Sequence, residues 1–169
     1  MAAQDDLDFY SRNLLRELIR DSRQTVQELA DAVGLSTSPC WKRIKAMEER
    51  GVIRGYTARV DPEKVGLGLQ VIVEANLARH REEQVRSFED EIAAIPEIVQ
   101  CLSTTGESDY VMTVMVADIK CFERFLHETL LRLPGITHVR SRIVLRELKA
   151  QTQLPLAASV AEPRRERRP

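Results

Sequence analysis

The chain has 169 residues, enough for one domain or two small ones, and its 43% hydrophobic and 30% charged content is that of a soluble globular protein. No apolar run approaches the roughly 18 residues of a membrane helix, and the acidic start Met-Ala-Ala-Gln-Asp-Asp lacks the basic and apolar regions of a secretory signal, so a cytoplasmic protein is expected. A net charge of −1 argues against a nonspecific nucleic-acid coat, yet residues 36–59 hold six Lys/Arg against two Asp/Glu while 61–150 hold eleven against fifteen: a basic patch on an acidic protein.

The first third predicts three helices. Leu14, Leu15, Leu18 and Ile19 form a helical stripe in a stretch without Gly or Pro. Thr25 precedes Val26, Leu29, Ala30 and Val33, with Glu28 three residues on as in a capping box, and Gly34 ends the run. A third helix starts near Ser36 or Ser38, with Pro39 in its first turn, and ends before Gly51. Residues 52–60, β-branched and aromatic, suggest a short hairpin or wing. Asp61-Pro62 and Gly66-Leu67-Gly68 mark a hinge.

From Leu69 the period changes. Leu69, Val71, Val73, Ala75 and Leu77 alternate as a strand. Val85, Phe88, Ile92 and Ile95 space as a helix up to Pro96; residues 98–105 and 110–117 read as two strands around Gly106-Glu-Ser-Asp109. Ile119, Phe122, Leu126, Leu130 and Leu133 make a helix stopped by Pro134-Gly135, and 136–148 is a last strand. The order βαββαβ is that of a ferredoxin-like sandwich. Strand 110–117 is apolar on both faces except at Thr113, so helices should cover one face and a second subunit the other; the face around Val71, Val73, Met112 and Val114 is expected to need that subunit. After residue 150 there is no period, only Pro155, Pro163, Pro169 and four arginines, and the tail is expected to be largely disordered.

The fold class is therefore α+β: an N-terminal winged helix-turn-helix over 1–60, a linker over 61–68, a ferredoxin-like oligomerisation domain over 69–150, and a tail over 151–169. Cys40, Cys101 and Cys121 fit no disulfide framework or metal spacing and read as buried thiols; His80, His127 and His138 form no cluster. No metal or cofactor is expected.

Two helices joined through Gly34-Leu35 make a DNA-reading shape if the second is polar outside and apolar inside. At 100° per residue, Cys40, Ile44 and Met47 fall within about 60° of arc and form the inner stripe. Ser38, Lys42, Lys45 and Glu49 point the other way, with Trp41 on a flank. Ser36, Thr37 and Ser38 offer hydroxyls and backbone N–H groups to phosphate. Lys42 and Lys45 are candidates for base edges or phosphates, and Arg54 and Tyr56 for the adjacent backbone. Arg43 leans to the core flank, where a structural salt bridge and a phosphate contact weigh equally. The plain alternative for this face is a solvated helix surface.

The run Arg23-Gln-Thr-Val-Gln-Glu-Leu-Ala-Asp-Ala-Val-Gly-Leu-Ser-Thr-Ser-Pro-Cys-Trp-Lys-Arg-Ile and the run Gly51-Val-Ile-Arg-Gly-Tyr-Thr-Ala closely resemble the reading head of the Lrp/AsnC (leucine-responsive, feast/famine) regulators. Thr105-Gly106-Glu107-Ser108-Asp109-Tyr110 matches that family's Gly-x-x-Asp-Tyr loop, and Thr129-Leu-Leu-Arg-Leu-Pro-Gly135 is similar to its last helix exit; the match runs from about residue 7 to 156. The resemblance implies a winged helix-turn-helix, a linker strand and a βαββαβ sensor, dimers built across sensor sheets and often assembled into octamers, and small effectors, mostly amino acids, bound between sensor domains. It also implies control of amino-acid metabolism or transport, often with autoregulation. The sequence departs from the family at Tyr10-Ser11-Arg12, where an Asp-Arg pair is common, and at Glu107 and Ser108, where the leucine-responsive member has Asp and a large aromatic. Cys40-Trp41-Lys42-Arg43 and Thr152-Gln-Leu-Pro-Leu156 resemble a subgroup that includes some regulators of cysteine handling.

A free amino acid needs N–H donors for its carboxylate and acceptors for its ammonium. In the loop, Gly106 frees the backbone, Thr104, Thr105 and Ser108 add hydroxyls, Asp109 offers a carboxylate to the ammonium, and Tyr110 closes the motif. The plain alternative is a hairpin in which Gly106 supplies positive φ and Asp109 bonds its own turn. The function read here is a sequence-specific transcription regulator that binds an imperfect palindrome in double-stranded DNA and answers to an amino acid. The alternative is an architectural DNA-binding protein that senses nothing. No catalytic triad, phosphate loop or metal constellation supports an enzyme.

Overall fold

The computed structural model describes residues 7–78 and 82–149, with the backbone alone at Glu82 and Glu83. The tail after 150 lies outside the described residues, so the expectation made for it does too. The chain forms two compact units, divided between Ala58 and Arg59.

In the first unit, α1 (Phe9–Arg20) starts where the Asp8 carboxylate accepts the Ser11 N–H at 2.9 Å. Helix α2 (Val26–Val33) starts with a complete capping box: Glu28 accepts the Thr25 N–H at 2.7 Å, and the Thr25 hydroxyl accepts the Glu28 N–H at 3.2 Å. Both backbone groups would otherwise be orphans of the first turn. Gly34, at φ +72, turns the chain in the left-handed region that a side chain disfavours. The Leu35 N–H then closes back on the Ala30 carbonyl at 2.9 Å. Only two residues, Leu35 and Ser36, separate that turn from α3 (Thr37–Glu49). The core joins Leu14, Leu15, Leu29, Ala30, Val33, Cys40, Ile44 and Met47, so the inner stripe of α3 is the predicted one. Ile19 is the exception in the first helix, lying at the surface.

The hairpin expected in 52–60 is not formed. The N–H groups of Val52 and Ile53 both close on the Met47 carbonyl, at 2.9 and 3.1 Å, and Ile53 packs on the core. The helix exit thus consumes the start of the would-be strand. Residues 54–60 are exposed and join no ladder. The wing of this unit is an irregular segment, not a strand pair.

The second unit is a four-stranded antiparallel sheet in the order β2-β3-β1-β4, from β1 (Leu69–Leu77), β2 (Ile98–Ser103), β3 (Tyr110–Val116) and β4 (Ile136–Ile143). Helices α4 (Glu82–Ala93) and α5 (Ile119–Glu128) follow β1 and β3. The Asp118 carboxylate starts α5 by accepting the Cys121 N–H at 2.8 Å, and that bond holds its carboxyl below the ordinary value. Val71, Val73, Ala75 and Leu77 of β1 and Tyr110, Met112, Val114 and Val116 of β3 alternate inward against Phe88, Ile92, Phe122, Phe125, Leu130 and Leu133.

This corrects one expectation. Val71, Val73, Met112 and Val114 are fully buried within the chain itself, beneath its own helices, and need no second subunit. The face left open is the opposite one. Register places Leu102 across from Val111, Ile72 across from Thr113, and Met115 across from Gln70 on that side. The last strand also stops at Ile143, five residues before the predicted end.

Candidate DNA-reading face and effector cleft

On α3 the side opposite Cys40, Ile44 and Met47 is open to solvent. Ser36, Thr37, Ser38, Trp41, Lys42 and Lys45 are all exposed, Trp41 by 53%. Ser36 makes no side-chain bond to the helix it precedes, so its hydroxyl and the first N–H groups of α3 face outward uncommitted to a cap. Lys42 has no ion-pair partner among the described residues. Lys45 lies 3.4 Å from Glu48, whose other oxygen accepts the Tyr56 hydroxyl at 2.9 Å. Burial, then that bond and the charge of Glu48, push the Tyr56 phenol up to about 12. Tyr56 therefore fastens the segment after the helix to the helix end. Arg54, two residues earlier in the chain, is exposed.

Arg43 is held from three sides. It donates to Asp8 at 2.5 Å and to the Ser11 hydroxyl at 3.2 Å, and its guanidinium lies 5.6 Å from the centre of the Tyr10 ring. Partial burial pushes the Asp8 carboxyl up, but the Ser11 N–H and hydroxyl and the Arg43 charge outweigh it and hold the group below its ordinary value. Of the two roles weighed for Arg43, these contacts are those of the structural one: it ties α3 to the start of α1. Ser11, in the position where the sequence departs from the family's Asp, is 7% exposed and part of that joint.

In the second unit the residues expected around the effector separate into different roles. The loop between β2 and β3 is closed by the Thr104 N–H on the Asp109 carbonyl at 2.9 Å and the Thr104 hydroxyl on the Ser108 carbonyl at 2.7 Å. Gly106 sits at φ +119, which other residues rarely adopt. Thr105 and Gly106 are exposed at the tip. Asp109 is committed to the fold: its carboxylate accepts the Leu77 N–H at 3.0 Å and its own N–H donates to the Asn76 side chain at 3.2 Å. Tyr110 also turns to the fold. Its ring is 7% exposed, tilted against Phe88 at 4.8 Å, and its hydroxyl donates to Glu89 at 2.7 Å, on the helix side of the sheet. Burial and Glu89 push its phenol up to about 12. Strand alternation sends residue 110 to the face opposite the loop's open side.

A cleft of about 330 Å³ lies on the open side, lined by Glu74, Asn76, Glu107, Ser108, His138 and Arg140. Of these six, Ser108 alone belongs to the effector contacts expected from the sequence. Asn76 clamps the loop over the cleft, its amide donating to the Glu107 carbonyl at 3.0 Å. Arg140 lies 3.3 Å from Glu107, and Arg142 pairs with Glu74. Glu74 and Asn76 occupy outward positions of β1, with Arg140 and His138 directly across on β4.

The two units match two family models: a winged helix-turn-helix DNA-binding domain over residues 7–54, and the Lrp/AsnC ligand binding domain over residues 70–154. The chain is 38% identical to the DNA-binding transcriptional activator DecR of Escherichia coli K12 over 150 residues, covering 89% of this chain and 99% of that protein. It is likewise 38% identical to the leucine-responsive regulatory protein of the same strain over 149 residues, covering 88% and 91%. A Neisseria meningitidis transcriptional regulator, solved as its L-Met complex, superposes with a TM-score of 0.86 at 35% identity, over 89% of this chain and 97% of that one.

The chain belongs to the Lrp/AsnC family of DNA-binding transcription regulators. Its first unit is the reading head of that family and its second the ligand-binding domain. Among the described residues no helix is long and apolar enough to cross a membrane.

Proposed function

We propose that this regulator reads an imperfect palindrome through α3 and releases or tightens its grip when an amino acid binds the second unit. The observation that carries the DNA reading is the two-sidedness of α3: Cys40, Ile44 and Met47 are buried, while Ser38, Trp41, Lys42 and Lys45 face water. The uncapped helix start at Ser36–Ser38 supplies N–H groups to a phosphate, and Lys42, Lys45 and Arg54 supply charge. Arg43 and Tyr56 position the helix and the wing.

The amino-acid effector is supported by the ligand-binding domain match, the L-Met held by the Neisseria relative, and the polar cleft beside the loop. The protein acts as a homodimer, with octamers as the further assembly. The open sheet face, with Leu102, Val111, Ile72 and Met115 at its centre, is the surface we assign to the dimer. A two-fold dimer presents two equivalent reading helices, hence the palindrome. Control of amino-acid metabolism or transport follows from the same reading, as does work in the cytoplasm, where the DNA is. The deciding experiment is a gel shift on the promoter of the protein's own gene, with and without each L-amino acid. A shift that one amino acid changes supports the reading. A shift that none changes leaves an architectural DNA-binding protein instead.

A further inference from the structure

The effector cleft can be read further, on the premise that the ligand is an amino acid. We propose that it takes an α-amino acid with a polar or charged side chain, whose carboxylate pairs with Arg140 and whose ammonium pairs with Glu107, the ligand dividing an ion pair that the free protein makes with itself.

Three observations lead there. First, the pair to be divided is accessible and weak. Arg140 and Glu107 are 3.3 Å apart, with side chains 56% and 90% exposed, and an ion pair so well solvated holds little. A zwitterion brings both opposite charges at once, so neither Arg140 nor Glu107 is left unpaired when it enters. Second, the frame around the pair is fixed. Glu107 rides on a loop held to β1 by both halves of the Asn76 amide, at 3.0 and 3.2 Å, and Arg140 stands on β4 directly across from Glu74. Glu74, already paired with Arg142 and only 20% exposed, forms a wall of the cleft. Third, no purely hydrocarbon side chain lines the cleft. The six residues are two carboxylates, an amide, a hydroxyl, an imidazole and a guanidinium. The Ser108 hydroxyl and the His138 ring have no partner among the described residues. An apolar ligand side chain would meet only the carbon stems of polar residues here and would leave those groups unpaired, whereas one ending in an amide, carboxylate or cation can bond them.

The test is calorimetric titration of the full-length protein with L-glutamine, L-glutamate, L-asparagine, L-arginine and L-lysine, against L-methionine and L-leucine. At least one polar amino acid should bind tenfold or more tightly than either apolar one. Its α-amide and its N-acetyl derivative, each lacking one of the two charges, should each lose tenfold or more. Arg140→Ala and Glu107→Ala should do the same to the parent ligand, with melting temperatures near wild type because both side chains are exposed; Arg140→Lys should restore part of the loss. If L-methionine or L-leucine binds best, or if both alanine variants bind as wild type does, the polar assignment falls while the amino-acid reading stands. If none of the seven binds at millimolar concentration, the amino-acid reading falls with it.

Discussion

At the residue scale, charged side chains of similar type have opposite surroundings on one helix. Lys42 is exposed without an ion-pair partner among the described residues, while Arg43 is bound to Asp8 and Ser11. Lys42→Ala should weaken DNA binding and lower the slope of log affinity against log salt by about one, as the loss of one phosphate contact does. Arg43→Ala should leave that slope unchanged and lower stability by roughly 1 kcal/mol. Binding isotherms at several salt concentrations, with a melting curve for each variant, separate the two; a slope change in Arg43→Ala would make it a phosphate contact after all. The Asp8 carboxyl is held below its ordinary value, so its contribution is present above the unfolded-state pKa and is lost as pH falls through the lower folded one. Asp8→Asn should therefore flatten the loss of stability below about pH 4, seen in melting curves taken across that range. Asp109 is a second case of a carboxylate put to structural use. Asp109→Ala strips the partner from the Leu77 N–H and should cost about 1–3 kcal/mol. A melting temperature equal to wild type would return Asp109 to the ligand.

At the element scale, the helices of the first unit are delimited by chemistry within a few residues: Asp8 to Ser11, Thr25 to Glu28, Gly34 after Val33. Such signals are legible in a sequence because donor and acceptor lie within one turn of each other. Thr25→Ala should destabilise the first unit by about 1 kcal/mol. Hydrogen exchange should show the change across α1–α3 and not in the sheet, since these helices share their own core. Equal loss of protection in both units would mean that they unfold as one. The failure at 52–60 has the same kind of reason in reverse. Val52 and Ile53 have strand propensity, but their N–H groups are nearer to the Met47 carbonyl than to any returning strand.

At the scale of the whole molecule, the surface proposed for the dimer and the cleft proposed for the effector share one sheet face. Half-buried Ile72, Val111 and Met115 lie with Leu102 on the open side, and the cleft opens on that side too. Val111→Lys puts a charge amid those side chains and should drive the protein toward a 19.3 kDa species in sedimentation at micromolar concentration. A wild-type sedimentation pattern for this variant would place the dimer contact elsewhere. On the proposed reading, effector and operator should be coupled through the arrangement of subunits, with an expected coupling of about 1–3 kcal/mol, or roughly 5–150-fold in DNA affinity.

The alternation of β1 and the stripe of α3 told which residues face inward, since period and propensity are properties of a segment by itself. They do not tell which of two apolar faces the chain's own helices cover: Val71, Val73, Met112 and Val114 lie under those helices and not on the open face. The loop motif marks where an effector site should be sought, yet Asp109 and Tyr110 turn to the fold, and Glu74, Asn76, His138 and Arg140 come to the cleft from strands about 30 residues away on either side of the loop. Those four carry no motif. They become neighbours only when β1 pairs with β4 in one register, and a slip of one residue would turn each of them to the other face. Register is set by the packing of the whole sheet on its helices, an interaction between distant segments, and so it was decided by the tertiary structure alone.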